Sequence, residues 1–180
     1  YDVSWYDNDG GCKGVCDRIP NEDLLPSDPE FKGLCSSDSC YDEVLLKRLH
    51  TRVAKAAKNK KSTVIFLHLI GSHGPTYFQR LPDDKKVFKP SCERSDIENC
   101  SVEQIVNSYD NTLYYTDYIL SKVVDELKPY EKDFGTAMFY ISDHGESLGE
   151  NGLFLHGSPY AIAPDYQKKV PMMTWFANSF

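Results

Sequence analysis

The feature that most constrains this chain is the run Thr63-Val64-Ile65-Phe66-Leu67-His68-Leu69, β-branched and almost free of polar breaks. Such a run has no polar face to offer water, so it reads as a strand covered on both faces within a helix-flanked sheet. Thr136–Ser142 (TAMFYIS) reads as a second buried strand and Val170–Phe176 (VPMMTWF) as a third. Between the first two, Ile105, Val106, Leu113, Ile119, Leu120, Val123 and Leu127 keep helical spacing. Ser101 and Gln104 form a capping box that opens this helix, and Pro129 closes it. An earlier helix is expected from Tyr41 to about Asn59, with Asp42 and Glu43 in its first turn and Lys58, Lys60 and Lys61 near its end, matching the helix dipole. Val44, Leu45, Leu49 and Val53 share one face of it. Strand, helix, strand predicts a right-handed crossover between Thr63–Leu69 and Thr136–Ser142. The expected class is α/β, a mainly parallel sheet flanked by helices.

At 180 residues the chain suits one globular domain or a large piece of one, and 41% hydrophobic content excludes a disordered chain. The longest mainly apolar stretch, Val64–Ile70, has seven residues, against roughly 20 for a membrane span. A net charge of −7 argues against a nucleic-acid partner. Both ends read as cut rather than finished, with no initiator Met and no signal peptide. Residues 1–40, rich in turn formers and poor in periodicity, read as an ordered loop region. A second long loop, 71–100, separates the first strand from the second helix.

Cysteines stand at 12 and 16, 35 and 40, and 92 and 100. Six cysteines allow fifteen pairings, but this clustering favours three local bridges over zinc, since none shows C-x2-C spacing. Loops this short contribute only about 2–2.6 kcal/mol each on the chain-entropy account. Their task is to pin polar loops that bring little core of their own, and they imply an oxidising compartment.

Ligands in open α/β sheets gather beyond the carboxyl ends of the strands. The first predicted strand runs into Gly71-Ser72-His73-Gly74-Pro75 and the second into Ser142-Asp143-His144-Gly145-Glu146-Ser147, while His156-Gly157 lies twelve residues after His144. One His-Gly pair is ordinarily a turn with a solvated ring; three of them at one sheet edge suggest a site. Asp143-His144 is the sharpest signal. A carboxylate oxygen and an imidazole nitrogen suit a divalent ion, zinc first, where the chain turns after the strand. Read alone, Asp143 also suits a turn cap. Lys13 reads as a surface lysine or a fixed cation for a phosphate, and His68 as a satisfied core or supporting histidine. His50 reads as solvated, and Tyr114, Tyr115 and Tyr118 as packing. Ser142, Ser147 and Thr174 are nucleophiles by residue type alone.

Taken together, Ser142-Asp143-His144-Gly145-Glu146-Ser147-Leu148-Gly149-Glu150-Asn151-Gly152 with Leu155-His156-Gly157, Gly71-Ser72-His73-Gly74-Pro75-Thr76-Tyr77, Tyr109-Asp110-Asn111-Thr112 and Cys12-Lys13-Gly14-Val15-Cys16-Asp17-Arg18 closely resemble the phosphoethanolamine–lipid A transferases. These include the mobile colistin-resistance enzymes and belong to the alkaline phosphatase/sulfatase superfamily. The resemblance covers essentially the whole chain and implies an incomplete domain of that fold, residues 1–180 forming a single truncated catalytic domain.

It further implies an enzyme on the periplasmic face of the Gram-negative inner membrane. Phosphoethanolamine would pass from phosphatidylethanolamine to a phosphate of lipid A through a phosphothreonine. Asp143 and His144 match zinc ligands; His73 and His156 match histidines that line the donor pocket and can hold a second zinc. Lys13 matches a basic residue of that pocket, and Asp9 falls near an Asn/Asp position there. The three cysteine pairs match family disulfides. The family's nucleophilic threonine, one glutamate ligand and the transmembrane helices have no match in these residues, so the 180 residues alone are expected to be inactive, and monomeric. A related sulfatase or phosphodiesterase, or a non-catalytic disulfide-stapled binding module, are the competing expectations.

Overall fold

The computed structural model describes residues 1–36 and 38–178. The chain divides into two compact units that interleave in sequence. One comprises Tyr1–Gly71, Asp117–Thr136 and the residues from Ala177 onward; the other comprises Ser72–Thr116 and Ala137–Phe176.

The first unit is built on a three-stranded parallel sheet in the order β2-β1-β3, with β1 at Asp2–Asp7, β2 at Asn21–Asp23 and β3 at Thr63–His68. The connection from β1 to β3 carries α1, Glu43–Asn59. Its apolar face lands where the periodicity puts it: Val44, Leu45, Leu49 and Val53 are all buried. Val44 and Leu45 join Leu24, Phe31 and Cys40 in one core, closed from the sheet side by Tyr6, Leu67 and Leu69. Burying each such side chain contributes about 1.5–3 kcal/mol. The helix ends on Lys60 in the left-handed conformation, φ 51°. On the same helix, buried Arg52 pairs with Asp2 at 2.5 Å and donates to Ser4 Oγ at 3.1 Å, which ties α1 to β1.

The second unit holds two short antiparallel ladders. In one, β4 (Ala137–Ile141) pairs with β7 (Met172–Phe176); in the other, β5 (Ser147–Leu148) pairs with β6 (Phe154–Leu155). The first part of α2 (Val102–Leu127) belongs to it as well. The capping box forms in both directions. Ser101 N–H donates to Gln104 Oε1 at 2.9 Å, and Gln104 N–H to Ser101 Oγ at 3.2 Å. The long loop before it is fastened onto the helix by side chains. Asn111 accepts from Phe88 N–H and donates to Phe88 C=O, while Ser108 does the same for Cys92. Tyr77, Cys92, Ile97 and Ile105 form the core beneath it. Bridges join Cys12–Cys16, Cys35–Cys40 and Cys92–Cys100.

Four expectations are corrected. Residues 1–40 are not all loop: β1 and β2 lie there, masked in the sequence because Asp2, Ser4 and Asp7 interrupt the apolar residues. The crossover that yields a parallel pair runs through α1, from β1 to β3; β4 instead forms an antiparallel ladder with β7. Nor are the apolar runs covered on both faces. Val64 and Phe66 are 41% and 44% exposed and Phe139 and Ile141 more so, because these alternate positions share the uncovered face of β3 and β4; in β7, Met172, Met173 and Thr174 are exposed in succession. Leu113, expected on the apolar stripe of α2, is exposed too. Among the described residues no helix is long and apolar enough to cross a membrane.

Candidate metal centre and its surroundings

In the second unit the three His-Gly pairs come together. The His144 and His156 rings lie 4.0 Å apart between centroids, His73 and His156 5.0 Å, and His73 and His144 6.4 Å. Local backbone fixes two of the rings. His73 Nδ1 donates to Gly74 C=O at 2.8 Å and His144 Nδ1 to Gly145 C=O at 3.0 Å. A carbonyl only accepts, so Nδ1 carries the proton in both and Nε2 keeps a lone pair for a ligand.

Glu146 joins them. His144, Glu146 and His156 bring ligand atoms to within 4.8 Å of one another. The Glu146 side chain is 3% exposed; its Oε1 accepts from Gly74 N–H at 3.2 Å and faces His156 Nδ1 at 3.1 Å. Its Oε2 and the Tyr77 hydroxyl are both buried short of full hydrogen-bond geometry, the phenol being the donor that neighbours this carboxylate. Burial, and next the Glu146 carboxylate, push the Tyr77 phenol far up from its ordinary pKa, so it stays a neutral hydroxyl. A buried carboxylate beside two imidazoles is a cation's donor set. Two nitrogens and one carboxylate oxygen suit zinc, so the residues present fit the ion that the motif implies.

Close backbone approach explains two of the glycines. A Cβ on Gly74 would collide with the Leu155 side chain and the Tyr77 ring, and one on Gly145 with the carbonyl oxygen of Tyr166. Asp143 stands at the rim. Its Oδ1 accepts His144 N–H at 3.0 Å as a turn cap, while Oδ2 lies 3.8 Å from His144 Nε2 with the side chain 84% exposed. Its carboxylate is not among the ligand atoms that His144, Glu146 and His156 bring together.

Asp9, Lys13 and His68 belong to the first unit. Asp7, paired in register with His68, is 2% exposed and organises this end of the sheet. Its Oδ2 accepts from Trp5 Nε1 at 2.8 Å and from His68 Nδ1 at 2.7 Å; its Oδ1 accepts the N–H groups of Asp9 and Gly11. Burial works to raise the Asp7 pKa, but these hydrogen bonds outweigh it and hold the carboxyl below its usual range. His68 Nε2 lies 3.9 Å from Asp9 Oδ2. Lys13 is exposed at φ 48°, in the turn closed by the Cys12–Cys16 bridge. Cys12, Cys16 and Asp17 also lie close together, but disulfide sulfurs are not thiolates and hold no zinc. His50 is solvated and meets Glu126 at 2.8 Å. Tyr115 is buried, whereas Tyr114 is 48% exposed. Ser147 is fully buried and hydrogen-bonded, which removes it as a nucleophile.

Glu146 is the residue that sequence reasoning passed over. Its signal was present, a carboxylate two residues after His144 in a glycine turn, but only its burial distinguishes it from a solvated acid.

The Sulfatase family profile matches residues 1–180. The phosphoethanolamine transferase EptA of Salmonella typhimurium is 50% identical over 99% of this chain, which spans 32% of that protein. The phosphatidylethanolamine transferase Mcr-2 of Escherichia coli is 39% identical over 98% of this chain and 33% of its own length. Among solved structures, the integral membrane protein lipooligosaccharide phosphoethanolamine transferase A of Neisseria meningitidis superposes with a TM-score of 0.90 at 43% identity. It is matched over 99% of this chain and 32% of its own. The chain therefore spans about a third of the length of these relatives, and the match over all of its residues shows that it belongs to the sulfatase family, with an alkaline phosphatase/sulfatase-like fold.

Proposed function

We propose that this chain is the part of a zinc-dependent phosphoethanolamine transferase that holds metal and donor headgroup, in an enzyme conferring polymyxin resistance. The donor is phosphatidylethanolamine and the acceptor a phosphate of lipid A, at the periplasmic face of the inner membrane. The cluster of His144, buried Glu146 and His156, with ligand atoms within 4.8 Å of one another, is the observation that carries the reading. The names of the relatives support the transferred group, and the Neisseria protein's description supports a membrane-bound enzyme.

The ion would be held by His144, Glu146 and His156, with Asp143 beside His144 at the rim and His73 next to His156. Zinc bound there supplies a Lewis acid that stabilises charge on phosphoryl oxygens and lowers the pKa of a threonine hydroxyl. The chain's own residues supply position and protons. His73 keeps Nδ1–H on the Gly74 carbonyl and presents the Nε2 lone pair, which can accept a hydrogen bond or a proton from the donor headgroup. An acceptor phosphate oxygen would then attack the phosphorus of the phosphothreonine, forming its own O–P bond as the P–O bond to threonine breaks and the threonine hydroxyl is released. The 180 residues alone are expected not to turn over, because neither a threonine nucleophile nor a further glutamate ligand is matched within them.

The test is the pair Asp143→Ala and His144→Ala in the whole enzyme. Zinc content by mass spectrometry under native conditions and growth in polymyxin are both expected to fall to background. Full zinc occupancy and full resistance in either variant would refute the assignment of that residue.

A further inference from the structure

The segment bearing His144 and Glu146 and the segment bearing His156 are joined by a ladder of only two residue pairs, Ser147 with Leu155 and Leu148 with Phe154. So short a ladder is too weak to hold a register by itself. Gln167, in the four-residue helix α3 (Asp165–Lys168), is 6% exposed and touches both segments. Its Nε2 donates to Ser147 Oγ at 2.5 Å and to Leu155 C=O at 3.1 Å, the two members of the ladder's end pair. The main-chain carbonyl of Gln167 accepts Gly145 N–H at 3.0 Å. An amide NH2 has two donors, and both are used. The contacts fall between His144 and Glu146, directly after Glu146, and directly before His156. The carbonyl of the preceding residue, Tyr166, lies against Gly145 closely enough to forbid a side chain there.

We propose that Gln167 is a positioning residue that sets the spacing of His144, Glu146 and His156 before any metal arrives. The inference rests on the metal-binding reading above and deepens it. The amide contacts no ligand atom of the cluster; it acts through the Ser147 hydroxyl, next to Glu146, and the Leu155 carbonyl, next to His156, while the Gln167 main chain holds Gly145 between His144 and Glu146. A site held this way needs little reorganisation on binding, whereas loosened supports typically cost 10–100-fold in metal affinity.

The test is Gln167→Met, which keeps length and volume and removes both donors, with Ser147→Ala removing one acceptor. Three readouts are taken: zinc affinity by competition with a chromophoric chelator, the visible absorption of the cobalt-substituted protein, and exchange of the Gly145 amide without metal. Gln167→Met is expected to bind zinc about 10–100-fold more weakly. Its cobalt spectrum should be altered and Gly145 exchange at least about tenfold faster. Ser147→Ala should move all three the same way by less, and it decides the matter should Gln167→Met not fold. Wild-type affinity, spectrum and exchange in a folded Gln167→Met would overturn the proposal. If the wild-type chain binds no zinc at all, the metal reading fails. Gly145 exchange in the metal-free variants then still decides whether the clamp exists.

Discussion

Replacing Glu146 by glutamine should act in opposite directions on the metal-free and metal-loaded protein. The side chain is 3% exposed, with Oε1 on Gly74 N–H and near His156 Nδ1, and Oε2 without a completed hydrogen bond. A buried polar group left short of partners costs about 1–3 kcal/mol, more when charged. Glutamine keeps the shape and the Oε1 acceptor while removing the charge, so metal-free Glu146→Gln is expected to melt no lower than wild type. Metal reverses the order. At a free zinc concentration 100 times the dissociation constant, binding adds about 2.7 kcal/mol to the folded state. For a chain of this length that is about 5–11 °C in Tm. An affinity loss of about 100-fold brings the ratio to one and leaves about 0.4 kcal/mol, or about 1 °C. The assay is a thermal melt of chelator-stripped protein with and without zinc. A full zinc increment in the variant, or a metal-free variant melting several degrees below wild type, would refute the reasoning.

Asp7→Asn tests the other buried carboxylate. The Asp7 pKa is lowered in the fold, so its contribution is present above the unfolded value near 4 and is lost as pH falls through the folded value. The variant should be less stable at neutral pH, with the gap in urea midpoint closing below about pH 4; a gap constant from pH 2 to 7 contradicts this. Gly145→Ala must displace the Tyr166 carbonyl and is expected to cost about 1–3 kcal/mol in urea unfolding and to weaken zinc binding. An unchanged midpoint would show that the close approach relaxes freely.

The structure's local elements were legible in the sequence. Helix α1 follows from Val44, Leu45, Leu49 and Val53 at helical spacing, and α2 from its stripe and the Ser101–Gln104 capping box, since both depend on neighbours within one turn. The disulfides were legible for the same reason, each spanning at most eight residues. Of the candidate site, the three His-Gly pairs were visible as turns at strand ends.

What the tertiary structure alone decided is everything that depends on pairing distant segments. The polar-interrupted β1 becomes a strand because β3, some sixty residues away, offers it a parallel edge, and β4 finds an antiparallel partner in β7. A periodic pattern states that a segment will be a strand but not which edge it will meet, because backbone hydrogen bonds carry no residue code. The same holds at the site. Histidine and glycine were written in the sequence, but burial turned Glu146 from one of 27 acidic residues into a metal-ligand candidate. The pairing of β5 with β6, and the folding of Gln167 onto Ser147 and Leu155, joined two loops ten residues apart into one cluster.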